Sequence, residues 1–194
     1  MSQVVRRATQ ADLSELTDIL TVGFAEDPVF TWMFKTEELY RRVAPAYFQM
    51  MAEQALNAGQ AYLADGKGVL IGQPSSTVDS DAEWNAAGQQ KVRNTCGECA
   101  DNALAYLNAA RDNHPMDKPH WYGEYLAVRP SYRNEGIGVL LLRHNFKEQG
   151  MAFYLESTKQ RNTDTYSRLG FTATRSYKVA DGVEMTSMWR DPMA

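Results

Sequence analysis

The spacing of apolar positions divides the chain into alternating extended and helical segments. Val4 to Ala8 reads as a short strand, and Leu13, Leu16, Ile19 and Leu20 then recur at helical intervals. Thr9 is a suitable N-cap for that helix, with Asp12 favouring its start. Pro28 suits the first position of a second helix carrying the aromatic string Val29 to Phe34. Glu37 to Leu56 forms a long amphipathic pattern with Leu39, Val43, Tyr47, Met50 and Met51 as its apolar stripe. Pro45 within it predicts a kink or a junction between two shorter helices, and Gly59 its end. Gln60 to Ala64 and Val69 to Gly72 predict a hairpin across Asp65-Gly66-Lys67-Gly68, with a serine-rich loop from Pro74 to Asp81.

The stretch from 82 to 119 is less transparent. Cys96, Cys99, Ala100, Ala103, Leu104, Leu107 and Ala110 fall at intervals of three and four, the signature of one buried helix face. The same cysteines, with His114 and His120, nearly match a two-cysteine, two-histidine zinc spacing. Pro115 and Pro119 interrupt the helix that should carry both histidines, so the core-stripe reading is preferred.

Trp121 to Arg143 carries the densest chemistry. Tyr122 to Val128 is rich in aromatic and branched residues and reads as a central strand, which Pro130 ends. A loop, Arg133-Asn134-Glu135-Gly136-Ile137-Gly138, leads into the apolar helix opened by Val139 to Leu142, and Gly150 stops that helix. The first turn of a helix exposes four unpaired N–H groups and partial positive charge. Glycines there let a backbone approach a bulky anion closely, so a phosphate or pyrophosphate is the natural guest. A dinucleotide-binding loop would need a third glycine where Leu141 stands, and a P-loop would need Gly-Lys-Ser/Thr. Met151 to Glu156 is a further strand, parallel to the first through the intervening helix. Lys159 to Leu169 is a short helix ending at Gly170, and two closing strands follow, Phe171 to Val179 and Gly182 to Arg190.

The Arg-x-x-Gly-x-Gly pattern after a strand resembles motif A of the GNAT superfamily, the acetyl-CoA-dependent N-acetyltransferases. Leu155-Glu156 followed by Asn162-x-x-x-Tyr166-x-x-x-Gly170-Phe171 resembles the superfamily's second coenzyme motif, at the matching separation. The likeness covers nearly the whole chain, least well its middle third. It implies an α/β (α+β) fold: a mixed, mostly antiparallel sheet flanked by helices, with a parallel strand pair splayed at the coenzyme site. It also implies acetyl-CoA as co-substrate and no metal. The backbone of Leu126, Ala127 and Val128 is then expected to hold the pantetheine arm like an added strand. Arg133, Asn134, Glu135, Gly136, Ile137 and Gly138 would hold the pyrophosphate, with Asn134 departing from the glycine that relatives often carry.

Asn162 and Tyr166 lie four apart and share a helix face. The resemblance makes Asn162 a coenzyme contact and Tyr166 the general acid toward the departing thiolate. A protonated amine has no lone pair, so a base or relay must take its proton. Glu124, expected on the face of Leu126, is the first candidate, with His120, Tyr122 or a water relay in reserve. The Asp27-to-Phe34 string is similar to the small-molecule, puromycin-type branch, which makes Phe30, Trp32 and Phe34 candidate acceptor contacts; Tyr122 is a further candidate.

Composition narrows the picture. The 194 residues, 44% hydrophobic and 23% charged, are expected to form a single N-acetyltransferase domain, residues 1–194. A net charge of −4 argues against sequence-independent nucleic-acid binding. No run approaches the roughly 18 apolar residues of a membrane span, and the first residues lack the apolar core of a signal peptide. Two cysteines make no disulfide framework, so a soluble, cytoplasmic protein is expected. The leading expectation is transfer of acetyl from acetyl-CoA to a small-molecule amine, possible in detoxification or self-resistance. A peptide or protein amine is the second choice of acceptor. A non-catalytic acyl-CoA-binding regulatory domain and a zinc-dependent interaction module are the alternatives.

Overall fold

A computed structural model describes residues 4–77 and 86–192. The part of the serine-rich loop from 78 to 81 lies outside these residues. Seven strands form one sheet: β1 (Val5–Arg7), β2 (Ala61–Ala64), β3 (Gly68–Pro74), β4 (Trp121–Val128), β5 (Phe153–Ser157), β6 (Thr172–Ala180) and β7 (Val183–Arg190). Their order is β1-β2-β3-β4-β5-β7-β6. Every pairing is antiparallel except β4 with β5.

Seven helices cover the sheet: α1 (Leu13–Phe24), α2 (Pro28–Phe34), α3 (Glu37–Asn57), α4 (Ala86–Cys96), α5 (Ala100–Asp112), α6 (Ile137–Gln149) and α7 (Gln160–Arg168). The helices α1 to α5 pack over one face, where Leu16, Phe30, Phe34, Tyr47, Phe48 and Tyr125 join the larger core. On the other face α6 buries Ile137, Leu141, Leu142 and Phe146 against Trp121, Phe153 and Leu155. Burial of such side chains contributes roughly 1.5–3 kcal/mol each, so the two cores supply most of the driving force.

Local chemistry explains the element ends. The Asp12 carboxylate accepts from the Thr9 backbone N–H at 2.7 Å at the entry to a 3-10 turn before α1. Asp27 caps α2 by accepting from Val29 N at 3.0 Å. Two expectations are corrected. No junction forms at Pro45: α3 is one helix through the proline, where Ala44, Tyr47 and Phe48 are all buried. The single helix expected around the cysteines is two, α4 and α5, separated at Gly97, whose φ of 53° no ordinary helix residue adopts.

The register between β3 and β4 slips by one residue: Ile71 pairs with Tyr125, but Gly72 pairs with Gly123. Glu124 is therefore the extra residue of a β-bulge. The slip swaps the faces of β4. Trp121 before it and Leu126 and Val128 after it all pack toward α6, whereas Tyr125 and Ala127 face the larger core. Gly72 sits opposite this bulge, and a Cβ there would lie 2.1 Å from the Tyr122 carbonyl oxygen and 2.3 Å from the Trp121 ring. At Gly138 a Cβ would meet Leu126 at 3.6 Å, an ordinary contact. Gly72→Ala is expected to cost about 3 kcal/mol in urea unfolding, while Gly138→Ala changes stability by less than about 1 kcal/mol.

Candidate active site

The ladder between β4 and β5 ends where Gly123 pairs with Leu155. Beyond that pair the ladder stops, and three neighbouring cavities with shared lining residues lie at the opening. The first, a groove of roughly 410 Å³, runs along Leu126, Ala127 and Val128, the loop residues Arg133, Asn134, Gly136, Ile137 and Gly138, and Asn162 and Tyr166 of α7. The second, roughly 50 Å³, sits in the fork itself, bounded by Phe30, Glu124, Leu126, Glu156, Asn162 and Tyr166. The third, roughly 190 Å³, opens on the other side between α3 and α5, with Met51, Leu107, His114, Tyr122 and Glu124 in its wall. The fork shares Leu126, Asn162 and Tyr166 with the groove. It shares Tyr106, Glu124 and Tyr125 with the third cavity.

The groove is lined by backbone as much as by side chains. On one side Leu126 to Val128 pair with β3, and past Gly123 no strand among the described residues pairs their other edge. Gly136 caps α6 at a φ of 79°, a left-handed conformation that turns the chain into the helix. Asn134 also has positive φ, 68°, which asparagine tolerates better than most residues. That is the physical reason asparagine suits this position. Lys159, Arg161 and Arg168 add positive charge along the α7 wall. These features fit an extended arm with a diphosphate at its end.

Two loop residues sit otherwise than expected. Glu135 is exposed and does not line the groove. Arg133 does line it, but its guanidinium pairs with Glu26 at 2.7 Å and donates to the Gly23 carbonyl at 3.1 Å. The side chain thus ties the loop to the end of α1. Its remaining N–H groups are what it can offer a phosphate.

At the fork, Tyr166 packs against Phe171 and borders both the groove and the reacting end. Burial, followed by the charge of Asp27, pushes its hydroxyl up to about 12, so it stays a proton donor through the neutral range. Glu124 was expected on the face of Leu126, and the bulge overturns this. Leu126 faces α6, whereas Glu124 opens into the third cavity, where Gln73 Nε2 donates to it.

The acceptor-side candidates separate. Phe30 borders the fork and Tyr122 lines the third cavity. Phe34 is fully buried in the larger core and Trp32 packs at its edge; neither lines the three cavities.

His120 is buried and does not line these cavities. Its Nδ1 lies 2.8 Å from the Lys118 carbonyl, which makes that nitrogen the donor. Its Nε2 then accepts from His114 Nε2 at 3.0 Å, and both rings are neutral. Burial pushes His120 down, and burial with the neighbouring ring brings His114 down to about 4. Cys96 and Cys99 lie in the larger core, while this histidine pair stacks among Tyr122, Tyr154 and Trp189. Among the described residues no group of three or more His, Cys, Asp or Glu is placed to hold a metal ion.

The structure adds two carboxylates that pattern reading missed. Asp27 is buried beside the fork, accepts from Val29 N and Thr158 Oγ1, and is raised by desolvation. Glu156 receives three tyrosine hydroxyls: Tyr122 at 2.6 Å, Tyr177 at 2.7 Å and Tyr154 at 3.0 Å. The strand register was the available signal for Glu156, since pairing Tyr122 with Tyr154 puts it beside Glu124 at the opening.

A pH prediction follows from the histidine pair. The unfolded chain takes up protons near 6.5 that the folded rings refuse, so the stability is fully present above 6.5 and declines as pH falls toward 4. Each neutral ring steepens that decline by up to about 1.4 kcal/mol per pH unit. Urea midpoints measured from pH 7 to 4.5 should fall more steeply in the native chain than in His114→Gln, whose amide can still donate to His120.

Comparison with known proteins agrees with this geometry. A family model described as acetyltransferase (GNAT) domain matches residues 93–173, which include β4, the loop, α6, β5 and α7. The chain is similar to a Corynebacterium glutamicum protein described as histone acetyltransferase HPA2 and related acetyltransferase, with 29% identity, a TM-score of 0.76, and coverage of 100% of this chain and 98% of that one. It is similar in fold to Drosophila melanogaster polyamine N-acetyltransferase, at 14% identity and a TM-score of 0.61, covering 97% of this chain and 98% of the other. The PaiA N-acetyltransferase of Thermoplasma acidophilum, in complex with coenzyme A, aligns at 15% identity and a TM-score of 0.55, covering 98% and 99% of the two chains. Among the described residues no helix is long and apolar enough to cross a membrane. The chain has the GNAT fold, and its residues 93–173 match the acetyltransferase domain of that superfamily.

Proposed function

We propose that the protein transfers the acetyl group of acetyl-CoA to a primary amine of a small molecule by direct attack. The observation that carries this reading is the fork between two larger cavities, sharing Tyr166 with the groove and Glu124 with the third cavity. Two reactants, one held in the groove and one in the third cavity, then meet at the fork. Holding them there removes most of the entropic cost of their encounter.

Acetyl-CoA supplies an activated acyl thioester. The unpaired edge of Leu126 to Val128 holds the pantetheine arm, and one N–H of that edge polarises the thioester carbonyl. Gly136, Ile137, Gly138 and Asn134 cradle the diphosphate with the first turn of α6, while Arg133 and Asn162 flank it. On the acceptor side Glu124 receives the ammonium group and takes its proton, freeing the lone pair that attacks the carbonyl carbon. The C–S bond breaks as the N–C bond forms, and Tyr166 donates its proton to the departing sulfur. The phenol is then reprotonated from solvent along the groove.

The acceptor is read from the cavity, since the named neighbours range from a polyamine to a histone enzyme. A chamber of roughly 190 Å³ walled by Met51, Ala55, Leu107 and Ala110 fits a small aliphatic or arylalkyl amine better than a folded protein surface. Likeness to the puromycin-type branch, carried by the Asp27-to-Phe34 string, and a cytoplasmic setting belong to this same proposal.

The test is thiol release from acetyl-CoA across a panel of small amines and short peptides. Tyr166→Phe is expected to lower kcat about 100-fold while coenzyme Kd stays within about twofold. Coenzyme binding without turnover on any amine would replace this reading with that of a regulatory acyl-CoA-binding domain.

A further inference from the structure

Acetylation of an ammonium ion removes two protons from nitrogen. One leaves before attack, to expose the lone pair, and a second leaves as the new N–C bond turns the amine into an amide. Sulfur takes back one proton, so one is released overall. Within the proposed reaction Glu124 accounts for the first proton and Tyr166 for the one delivered to sulfur. The second nitrogen proton has no acceptor in that scheme.

The geometry points to Glu156, reached through the Tyr122 hydroxyl, as the acceptor of this second proton. Tyr122 lines the acceptor chamber, while Glu156 borders the fork. The hydroxyl that links them donates to Glu156 Oε2 at 2.6 Å, within the short range of charge-assisted bonds. Tyr154 and Tyr177 bind Oε1, at 3.0 and 2.7 Å. Oε2 is thus the oxygen that faces the chamber through Tyr122, and Oε1 anchors the carboxylate to β5 and β6.

The step balances. The O–H bond of Tyr122 breaks toward Glu156 Oε2 as its oxygen takes the N–H proton of the acylated nitrogen. Tyr122 ends neutral and Glu156 ends as the acid. The groups facing Glu156 are Tyr122 of β4, Tyr154 of β5, Tyr177 of β6 and Tyr106 of α5, with Arg175 of β6 acting on Tyr154. Glu124 borders the same fork, and once it holds the first proton Glu156 is the carboxylate left there to take the second. Desolvation already raises Glu156, which moves it toward the neutral range where a base works best. This inference rests on the proposed acetyl transfer and deepens it.

The experiment uses the intact protein with acetyl-CoA and the best amine from the panel. Glu156→Gln keeps the shape of the side chain but cannot accept a proton. It is expected to lower kcat at least tenfold, with acceptor KM and coenzyme Kd within about threefold, and to remove one ionisation from the acid limb of the pH–kcat profile. Tyr122→Phe should cause a similar loss. The double variant should be no worse than either alone, because the two act in series. Tyr177→Phe, which removes a donor to Oε1 alone, should retain more than half of kcat and reports on folding of the cluster by circular dichroism.

Additive losses in the double variant, a loss confined to KM, an unchanged acid limb, or a Tyr177→Phe loss as large as that of Tyr122→Phe would each overturn the relay while leaving acetyl transfer intact. Absence of turnover in the native protein on every amine would remove both readings together.

Discussion

Backbone N–H and C=O groups in an interior must find partners, and two parallel strands that part company leave a row of them without any. The strands β4 and β5 stay paired for only three register positions and then diverge. The opening is held apart from both sides of the sheet. Helix α6 buries Leu141 and Leu142 against one face, while Tyr125 and Ala127 pack into the aromatic core on the other. The fork cannot close without emptying those contacts. The unpaired edge is therefore a permanent feature, and an extended ligand with its own amide groups is the natural complement.

The bulge at Glu124 turns that opening into a place for chemistry. A regular strand continuing from Tyr122 would have kept Leu126 on the face of Tyr122 and Glu124 and sent Tyr125 toward α6. With one residue inserted opposite Gly72, Leu126 turns to α6 instead, while Glu124 and Tyr125 both line the third cavity. Tyr122, two residues before Glu124, stands in the wall of the same chamber. The remaining carboxylates are stabilised locally: Glu156 by three phenols and Asp27 by a backbone N–H and the Thr158 hydroxyl. Charges in such surroundings are set in place before a reactant arrives, which is how a site stabilises developing charge without reorganising.

Sequence reading reached the groove, the proposed coenzyme site, because its wall is built largely from backbone. Glycine and proline mark where a chain turns and where helix ends lie open, so Pro130, Gly136 and Gly138 announce the loop in one dimension. Asn134 reads as a departure until its φ of 68° shows what the position requires. The spacing of Asn162 and Tyr166 likewise survives folding unchanged, since both stand on one short helix. The face of Glu124 was not legible, because period-two alternation assumes a regular strand and nothing local announces a bulge partner 52 residues upstream. The pairing of His114 with His120 was not foreseen: the zinc spacing that linked them was set aside, and they form a hydrogen-bonded pair packed on Tyr154.

The acceptor half resisted the sequence for a reason that also bears on how such a protein can vary. Its chamber takes residues from α3, β3, α5 and β4, elements separated by long stretches of chain. No residue there needs an unusual backbone angle, and each side chain alone reads as ordinary core or surface. Exchange of Met51, Leu107 or Ala110 would reshape the chamber while leaving the fork, the loop and the bulge untouched. The proposed diphosphate cradle has no such freedom, because the groups it would offer are N–H donors fixed by the path of the chain. A fold that reads one reactant with backbone and the other with side chains can change the second while keeping the first, and the division between the two falls at Glu124.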